Sequence, residues 1–335
     1  MTDPDSKARS LKLVFGIAVS ALSIGLLIWL SDLQVLLGAL RQLPIWLFLL
    51  VISLIIISLI TRSFAWRTIL LDRVSTGDAF FILNAGYFLN TILPFRAGEI
   101  GRAVLLIPHG VKFWEGIPSI AVERMFDLMI AASLFAVGLP TAVDLAPGGG
   151  YAFLLLSLVV VGFGFLFTAV KFQDQIQAWM IRSGGRFAKF RSWIGVRLQP
   201  VFDGLGFFQD GWRMLRTFFW MLVSWGLALF LQMILLRGFV PDAPVMWGVF
   251  ALGAVSLGVT VPSSPGNFGV YEGSMTLALT AAGMDPSLAF AYSVTSHAAS
   301  LLVTSGFGGY SIGKQGYSLK DLQLLTRMHR KEGEG

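Results

Sequence analysis

The sequence predicts an all-α polytopic membrane protein with about six full spans and two re-entrant helical hairpins, arranged as two inverted repeats. Three observations lead to this prediction. The chain is 55% hydrophobic and 13% charged, whereas a soluble globular chain carries roughly 25% charged residues. Apolar runs of about 20 residues recur from end to end, the length that a bilayer requires. Lys and Arg are unevenly distributed between the connecting segments, as the positive-inside rule expects.

Composition also excludes several kinds of chemistry. The chain has no cysteine, which rules out disulfides, thiolate metal sites and a Cys nucleophile. Its three histidines are far apart and form no HExxH pair, so no metal, no cofactor and no catalytic residue is predicted. The net charge of +6 does not indicate a nucleic-acid partner, because the placement of basic residues matters more than their sum in a membrane chain.

Six apolar stretches are long enough to cross about 30 Å of hydrocarbon at ~1.5 Å per residue. The first is too long for the core of a signal peptide and is predicted to be a retained span. The predicted spans are 13–31, 45–66, 118–139, 151–170, 217–236 and 288–312.

Two further apolar stretches, 78–107 and 247–284, are interrupted near their middle by Pro and Gly. The first contains Pro94 and Gly98, and the second contains Pro262 and Gly266, with a spacing of 168 residues between the two PxxxG motifs. Each half has about 9–16 residues and is too short to cross the hydrocarbon core.

The positive-inside rule assigns a direction to the first hairpin. With a cytoplasmic N-terminus, three arginines place the end of the second span inside: Arg62, Arg67 and Arg73. Residues 140–150 contain no Lys or Arg and are predicted outside. The stretch 78–107 must therefore enter from the cytoplasm and return to it.

The second half has the opposite arrangement. Residues 171–216 hold eight Lys/Arg, and the tail after Gly313 holds five, so both are predicted inside. Residues 240–246 are predicted outside, which makes 247–284 a hairpin entered from the outside. This topology places both termini in the cytoplasm and 20 of the 25 basic residues on the cytoplasmic side.

The two inverted repeats are predicted at residues 1–140 and 141–335. Inverted repeats with interrupted helices at corresponding positions indicate a transporter with a site near the bilayer midplane. The alternative is that the two PxxxG motifs are a coincidence and that 247–284 forms two tight spans.

Seven ionisable residues fall within the membrane stretches. Each would cost about 2.5–3.5 kcal/mol at a lipid-facing position, so they are expected to face the interior and to pair. Guanidinium groups suit phosphate, and neighbouring carboxylates would orient them. In the alternative interpretation, the arginines only hold the hairpins together through the carboxylates. These candidate substrate-binding residues are Arg96, Glu99, Arg102, Glu123, Arg124, Asp127 and Glu272.

The hairpin tips add backbone groups to this candidate site. Each returning half-helix should begin with free N–H groups that attract anions. Ser264, followed by Pro265, is predicted to cap the second one. Asn90 precedes the first tip and is included in the site. Gly98 and Gly266 would allow another backbone or a headgroup to approach closely.

A proton-coupling role is predicted for one of four residues in these segments. Three are carboxylates, and the fourth is His297 in the last span, which is suited to proton relay or, alternatively, to an ordinary interhelical hydrogen bond. The candidates are Glu272, Glu99, Asp127 and His297.

Three ordered motifs resemble the lysylphosphatidylglycerol synthase transmembrane-region family. They span Asn90–Arg102, Glu123–Asp127 and Pro262–Glu272. The resemblance implies a flippase-like protein of the prokaryotic plasma (inner) membrane, acting on lipids or lipid-linked saccharides. Because no soluble aminoacyl-transferase or glycosyltransferase segment accompanies the motifs, it also implies translocation without synthesis.

The leading hypothesis is therefore a transporter, and not an enzyme, that moves a phosphate-bearing lipid through a polar cavity between the repeats. The expected partners are membrane lipids, anionic or linked to a polyprenyl phosphate, and a lipid-synthesising enzyme or glycosyltransferase. The alternatives are an intramembrane lipid-modifying enzyme and a non-catalytic membrane partner of a glycosyltransferase. The sequence does not predict an oligomeric state.

Overall fold

A computed structural model describes residues 43–93, 96–142, 210–261 and 264–314, together with a few isolated positions. This part of the chain contains eight α-helices and no strand, which confirms the predicted all-α class. In chain order the helices are α1 (Ile45–Ile69), α2 (Thr76–Ile92), α3 (Ala97–Leu105), α4 (Phe113–Ala142), α5 (Gly211–Phe239), α6 (Val245–Gly258), α7 (Val270–Ala281) and α8 (Pro286–Lys314).

Four of the predicted spans lie within α1, α4, α5 and α8, while those at 13–31 and 151–170 lie outside the described residues. These helices extend beyond the apolar runs, and α5 begins at a polar cap. Asp210 caps α5 by accepting hydrogen bonds from the backbone N–H groups of Trp212 at 2.9 Å and Arg213 at 3.2 Å. The N–H of Arg213, followed by that of Trp212, holds the pKa of Asp210 below its usual value.

The helices α1 and α5 have the length and composition of membrane spans, with mean hydropathies of 2.5 and 2.0. Large apolar side chains on both remain exposed, including Leu49 on α1 and Phe219 and Phe230 on α5. Such a surface suits hydrocarbon better than water. The number of spans and of repeats stays a prediction.

The stretch 78–107 forms a hairpin of α2 and α3 that returns to its starting level. Asp78 at the beginning of α2 lies 3.6 Å from the His109 imidazole, just beyond α3. The two helices pack closely because Gly98 has no side chain, and a Cβ at this position would collide with the Gly86 carbonyl oxygen.

The stretch 247–284 forms a second hairpin, of α6 and α7. Its two ends also meet, since a Cβ on Gly283 would lie 3.7 Å from the Trp247 ring. A 3₁₀ turn at Pro265–Asn267 separates its helices. At this tip, a Cβ on Gly266 would lie 3.6 Å from the methyl carbon of Thr91 at the end of α2. The tips of the two hairpins therefore meet inside the bundle.

The helices α1 and α5 run antiparallel and pack along their length. Leu47 near the start of α1 contacts Gly238 near the end of α5. Asp72, just after α1, is 2.6 Å from Arg216 in the second turn of α5. Midway along their length, one serine from each helix joins them.

The hydroxyls of Ser58 and Ser224 lie 3.2 Å apart, and each is 3.1 Å from the carbonyl oxygen of the other residue. This reciprocal contact is what a local two-fold axis between α1 and α5 would produce. Because α5 is antiparallel to α1, the C-terminal end of α5 lies beside the N-terminal end of α1. The first hairpin, which follows α1, and the second hairpin, which follows α5, therefore open at opposite ends of α1.

The first set of four helices is α1–α4 and the second set is α5–α8, and the remaining helix contacts follow the same pattern in both. The long helix α4 packs on α6 of the second hairpin, and α8 packs on α2 of the first. Both contacts use a glycine: a Cβ on Gly138 would lie 2.6 Å from the Phe250 Cα, and a Cβ on Gly308 would collide with the Asn84 carbonyl. These matching pairs are the pattern that two repeats of opposite orientation would give.

Candidate functional site

Seven charged side chains from α1, α3 and α4 and from the first hairpin tip meet in one group, called here the charged cluster. Glu123 is at its centre and is fully buried. Its carboxylate accepts from Arg62 Nε at 2.8 Å and also bonds the guanidinium of Arg102. The cluster consists of Arg62, Arg96, Glu99, Arg102, Glu123, Arg124 and Asp127.

Asp127 links the cluster to the second set of helices. One helical turn beyond Glu123, it pairs with Arg62 and, at 3.2 Å, with Arg124. It also accepts a hydrogen bond of 3.1 Å from the indole N–H of Trp225 on α5. A single carboxylate thus contacts two arginines of one set and an aromatic residue of the other.

Arg102 is the most enclosed cation of the cluster, with 1% of its side chain exposed. Its Cζ lies 4.0 Å from the centroid of the Trp66 ring, a cation–π contact. Its Nε and one terminal nitrogen have no hydrogen-bond acceptor among the described residues. Because Glu123 and Trp66 already cover this guanidinium, it is poorly placed to meet a ligand.

The rim of the cluster is more open. Glu99 lies 3.3 Å from Arg96 and 3.5 Å from Arg124, and each of these three side chains is between a fifth and a quarter exposed. Arg96 adopts a left-handed backbone conformation with φ of 55° at the hairpin tip, which is uncommon for a residue other than Gly. With four arginines and three carboxylates, the cluster carries one excess positive charge.

Arg62 is a member of the charged cluster that the sequence analysis did not include among the candidate site residues. The charge pattern placed it at the cytoplasmic end of the second span, but only 12% of its side chain is exposed, and it joins Glu123 and Asp127. The reason is that α1 continues for seven residues beyond Arg62, to Ile69, which puts this arginine inside the bundle. The sequence signal for its burial was that Arg62 lies within the predicted span, well before Arg67.

The hairpin tips differ in part from their prediction, because the chain itself occupies some of the N–H groups at each tip. The N–H of Gly98 donates to Asn90 Oδ1 at 2.7 Å, and that of Glu99 donates to the Arg96 carbonyl at 3.0 Å. At the second tip, the N–H of Gly269 donates to Glu272 Oε2 at 2.7 Å. Asn90 and Glu272 thus act as caps in this conformation.

The predicted capping role of Ser264 is likewise wrong. Its hydroxyl donates to the Phe268 carbonyl at 2.9 Å and makes no capping hydrogen bond. Ser264 precedes the 3₁₀ turn at Pro265–Asn267, in which Gly266 has a φ of 68°, and the α-helix α7 begins only at Val270. Gly98 lies in a tight backbone contact with Gly86, the first of the two uses predicted for it, whereas the atoms nearest a Cβ on Gly266 belong to the side chains of Phe268 and Thr91.

Glu272 lies apart from the charged cluster, in contrast to the six other ionisable residues predicted for the site. Its Oε1 is 2.6 Å from Nδ1 of His297 on α8. The Tyr271 ring stacks on the imidazole, with ring centres 4.2 Å apart. Both members of this Glu272–His297 pair are buried, and of the four proton-coupling candidates only these two contact each other.

A group of neutral polar side chains, called here the neutral cluster, lies beside that pair. Gln232 on α5 accepts from the Tyr292 hydroxyl and is 3.2 Å from Ser296 Oγ, which lies 2.9 Å from the Tyr271 hydroxyl. Sequence reasoning missed Gln232, although a lone amide within the apolar run 217–236 was a usable signal.

A cavity of about 270 Å³ opens between the two sets of helices. Most of its wall is apolar, with hydroxyls, an amide and aromatic rings interspersed. Among the described residues that line it, Arg62 is the one with a full charge. Its polar lining includes Ser58, Arg62, Tyr87, Gln232, Tyr271 and Ser300.

Long apolar helices that enclose buried, paired charges define a helical membrane protein with an internal polar site. The family model of the lysylphosphatidylglycerol synthase TM region matches residues 13–308, and the chain belongs to this family. It is also similar to a UPF0104 membrane protein of Methanocaldococcus jannaschii, with 25% identity over 218 residues, which cover 61% of this chain and 84% of that protein. No solved structure matches the chain significantly.

Proposed function

We propose that the protein is a lipid transporter that moves a phosphate-bearing lipid, or a lipid-linked saccharide, between the leaflets of the prokaryotic inner membrane. The observation that carries this proposal is the cavity between two oppositely directed sets of helices, with Arg62 in its wall. Polar headgroups need such an interior path, whereas acyl chains can remain in the bilayer.

The proposed topology has two inverted repeats, at 1–140 and 141–335, with both termini in the cytoplasm. The antiparallel packing of α1 and α5 and the reciprocal Ser58–Ser224 contact support it. In this topology the first hairpin is entered from the cytoplasm and the second from the outside. Their tips meet where Thr91 approaches Gly266, near the proposed midplane.

The phosphate would bind on the open side of the charged cluster. Arg62 faces the cavity, and Arg96 and Arg124 lie on the partly exposed rim. Guanidinium groups bind phosphate through paired, charge-assisted hydrogen bonds. Arg102 and Glu123, being fully enclosed, act in this proposal as positioning residues for Arg62. This assignment revises the direct phosphate contact expected for Arg102.

The lining of the cavity further restricts the headgroup. No carboxylate lies among the described residues of its wall. The hydroxyls of Tyr87, Ser256 and Ser300 line the cavity without a hydrogen bond to any described residue. A cationic headgroup needs a carboxylate partner, while a neutral polyol needs hydroxyls and aromatic faces. The proposed substrate is therefore a phosphate lipid with a neutral, hydroxyl-rich headgroup.

The protein is proposed to translocate this lipid without changing it chemically. A lipid-synthesising enzyme or a glycosyltransferase would supply the substrate, which makes such an enzyme the proposed partner. The rival function, an intramembrane lipid-modifying enzyme, would leave a chemically altered lipid in the same assay.

The test is lipid translocation by the purified protein in liposomes, with fluorescent lipids and a membrane-impermeant quencher. Phosphatidylglycerol is compared with lysylphosphatidylglycerol, with a glucosyl diacylglycerol that lacks phosphate, and with a polyprenyl-phosphate sugar. We expect movement of the two phosphate lipids with neutral headgroups, and no chemical change by mass spectrometry.

The matched variants are Arg62→Gln, Arg62→Lys and Arg237→Gln, the last at an exposed arginine near the end of α5. Loss of a charge-assisted phosphate contact of about 1.5–3 kcal/mol should slow transport by Arg62→Gln roughly 10- to 100-fold. Arg62→Lys should retain part of the rate, and Arg237→Gln should behave as wild type. Movement of lysylphosphatidylglycerol alone would refute the headgroup assignment, and movement of none of the lipids would refute the transporter.

A further inference from the structure

The Glu272–His297 pair is a buried ionisable site that phosphate binding leaves unused. The contact of 2.6 Å between Oε1 and Nδ1 leaves room for one proton between the two atoms, and each side chain is 7% exposed. It joins the second hairpin to α8, because Glu272 is on α7.

The described surroundings of the pair contain no other charged partner. Helix α6 has no charged residue, and α5 contributes the neutral Gln232. On α7 the neighbouring titratable group is Tyr271, which stacks on the imidazole, and on α8 the charged residue is Lys314 in the last turn. The charges of α4 are all committed to ion pairs, its carboxylates with arginines and Arg124 with carboxylates.

This isolation distinguishes the pair from the other proton-coupling candidates. Glu99 and Asp127 each contact two arginines, whose charge is permanent. In the Glu272–His297 pair the partner of the carboxylate is a histidine, a side chain that exists in a protonated and a neutral form. The charge of this site can therefore change during a transport cycle.

The same carboxylate also holds the hairpin tip. While Oε1 contacts His297, Oε2 accepts from the N–H of Gly269 at the start of α7. A change at the imidazole is thus transmitted to the cap of the returning helix. Removing the partner of a buried charge is strongly destabilising, which favours movement of this short hairpin toward water.

We infer that the Glu272–His297 pair is the proton-binding site that couples the second hairpin to lipid movement, an inference that rests on the proposed transporter function. With one proton shared between Oε1 and Nδ1, the pair is neutral and α7 is docked on α8. Release of that proton to water leaves a carboxylate and a neutral imidazole. The uncompensated anion then loosens the contact between α7 and α8, and rebinding of a proton restores it.

A disulfide cross-linking experiment tests the docking step without any lipid. Thr276 and Ser293 join α7 to α8 with hydroxyls 3.3 Å apart, while Ser58 and Ser224 join α1 to α5 at 3.2 Å. Each pair is replaced by cysteines in this cysteine-free chain, and the Ser58/Ser224 pair serves as the control for thiol chemistry. The measured quantity is the ratio of the two cross-linking rates between about pH 5 and pH 9, a range centred near the imidazole pKa.

We expect this ratio to fall at least about fivefold as the pH rises, the lower end of ordinary coupling between sites. In the Glu272→Gln and His297→Asn backgrounds the ratio should be independent of pH. A constant ratio in the wild-type background, or an equal fall in all three backgrounds, would overturn the inference.

Transport in liposomes tests the coupling itself. With the membrane potential clamped, a difference of one pH unit should drive an accumulation of about tenfold if one proton moves per lipid. Glu272→Gln should equilibrate the lipid without accumulation. The control is Glu115→Gln, which removes a carboxylate bonded to Arg73 at 2.6 Å, away from the pair. Lipid movement that ignores the gradient would refute the coupling but not the transporter, whereas absence of lipid movement would refute the transporter.

Discussion

The two sets of helices place different chemistry at corresponding positions. Where α1 meets α4, Arg62 forms ion pairs with Glu123 and Asp127. Where α5 meets α8, Gln232 exchanges neutral hydrogen bonds with Tyr292 and Ser296. The two helix contacts occupy corresponding positions, but the first consists of ion pairs and the second of neutral hydrogen bonds.

This difference has an energetic consequence. Breaking one buried ion pair leaves an uncompensated charge, at a cost of about 3–5 kcal/mol. Exchanging one neutral hydrogen bond for another costs about 1 kcal/mol or less. We therefore expect the first four helices to form the more rigid frame around the proposed phosphate site, and the second set to rearrange at lower cost. The titratable Glu272–His297 pair belongs to the adjustable side.

The largest expected effect is on the charged side. Glu123→Gln keeps the side-chain size but leaves Arg102 and Arg62 without their shared counter-ion, and we expect a loss of about 3–5 kcal/mol in stability. Gln232→Leu should cost about 1 kcal/mol, because the Tyr292 hydroxyl keeps the Gln232 carbonyl as an acceptor at 3.1 Å. Thermal unfolding in detergent measures both, and equal losses would remove the contrast between the two sides.

A smaller effect tests the packing that the two sets share. Gly138→Ala and Gly308→Ala each insert a methyl group against the opposite hairpin, where Phe250 and Asn84 leave no space. Each should cost about 1–3 kcal/mol. Gly226→Ala is the control, since no atom lies within 4 Å of its Cβ position, and it should be neutral or slightly stabilising. A tolerated Gly308→Ala beside a damaging Gly138→Ala would mean that the two contacts are not equivalent.

Much of the architecture could be predicted from the sequence because membrane physics leaves few options. The apolar runs located α1, α4, α5 and α8, and the two PxxxG motifs located both interruptions. Pairing of the intramembrane charges also followed from the cost of leaving them unpaired. Six of the seven predicted ionisable residues lie in one cluster.

The rest depended on three-dimensional contacts that local patterns do not contain. Arg62 was assigned to the cytoplasm because the charge rule counts basic residues without regard to where a helix ends. Ser264 was assigned as the cap of α7 because nothing in the sequence indicates the 3₁₀ turn that separates it from the start of this helix at Val270. The partner of Glu272 is 25 residues away, on another helix, and no spacing rule connects the two.

The central claim is that the two sets of helices are inverted relative to each other in the membrane. It is tested most directly by single cysteines at Lys112 and Asp242, two exposed positions beside the openings of the two hairpins, with a third probe within 140–150. Labelling with a membrane-impermeant maleimide should reach Lys112→Cys from the cytoplasmic side only, and Asp242→Cys and the third position from the outside only. Labelling of Lys112→Cys and Asp242→Cys from the same side would contradict the inverted arrangement and the transport path built on it.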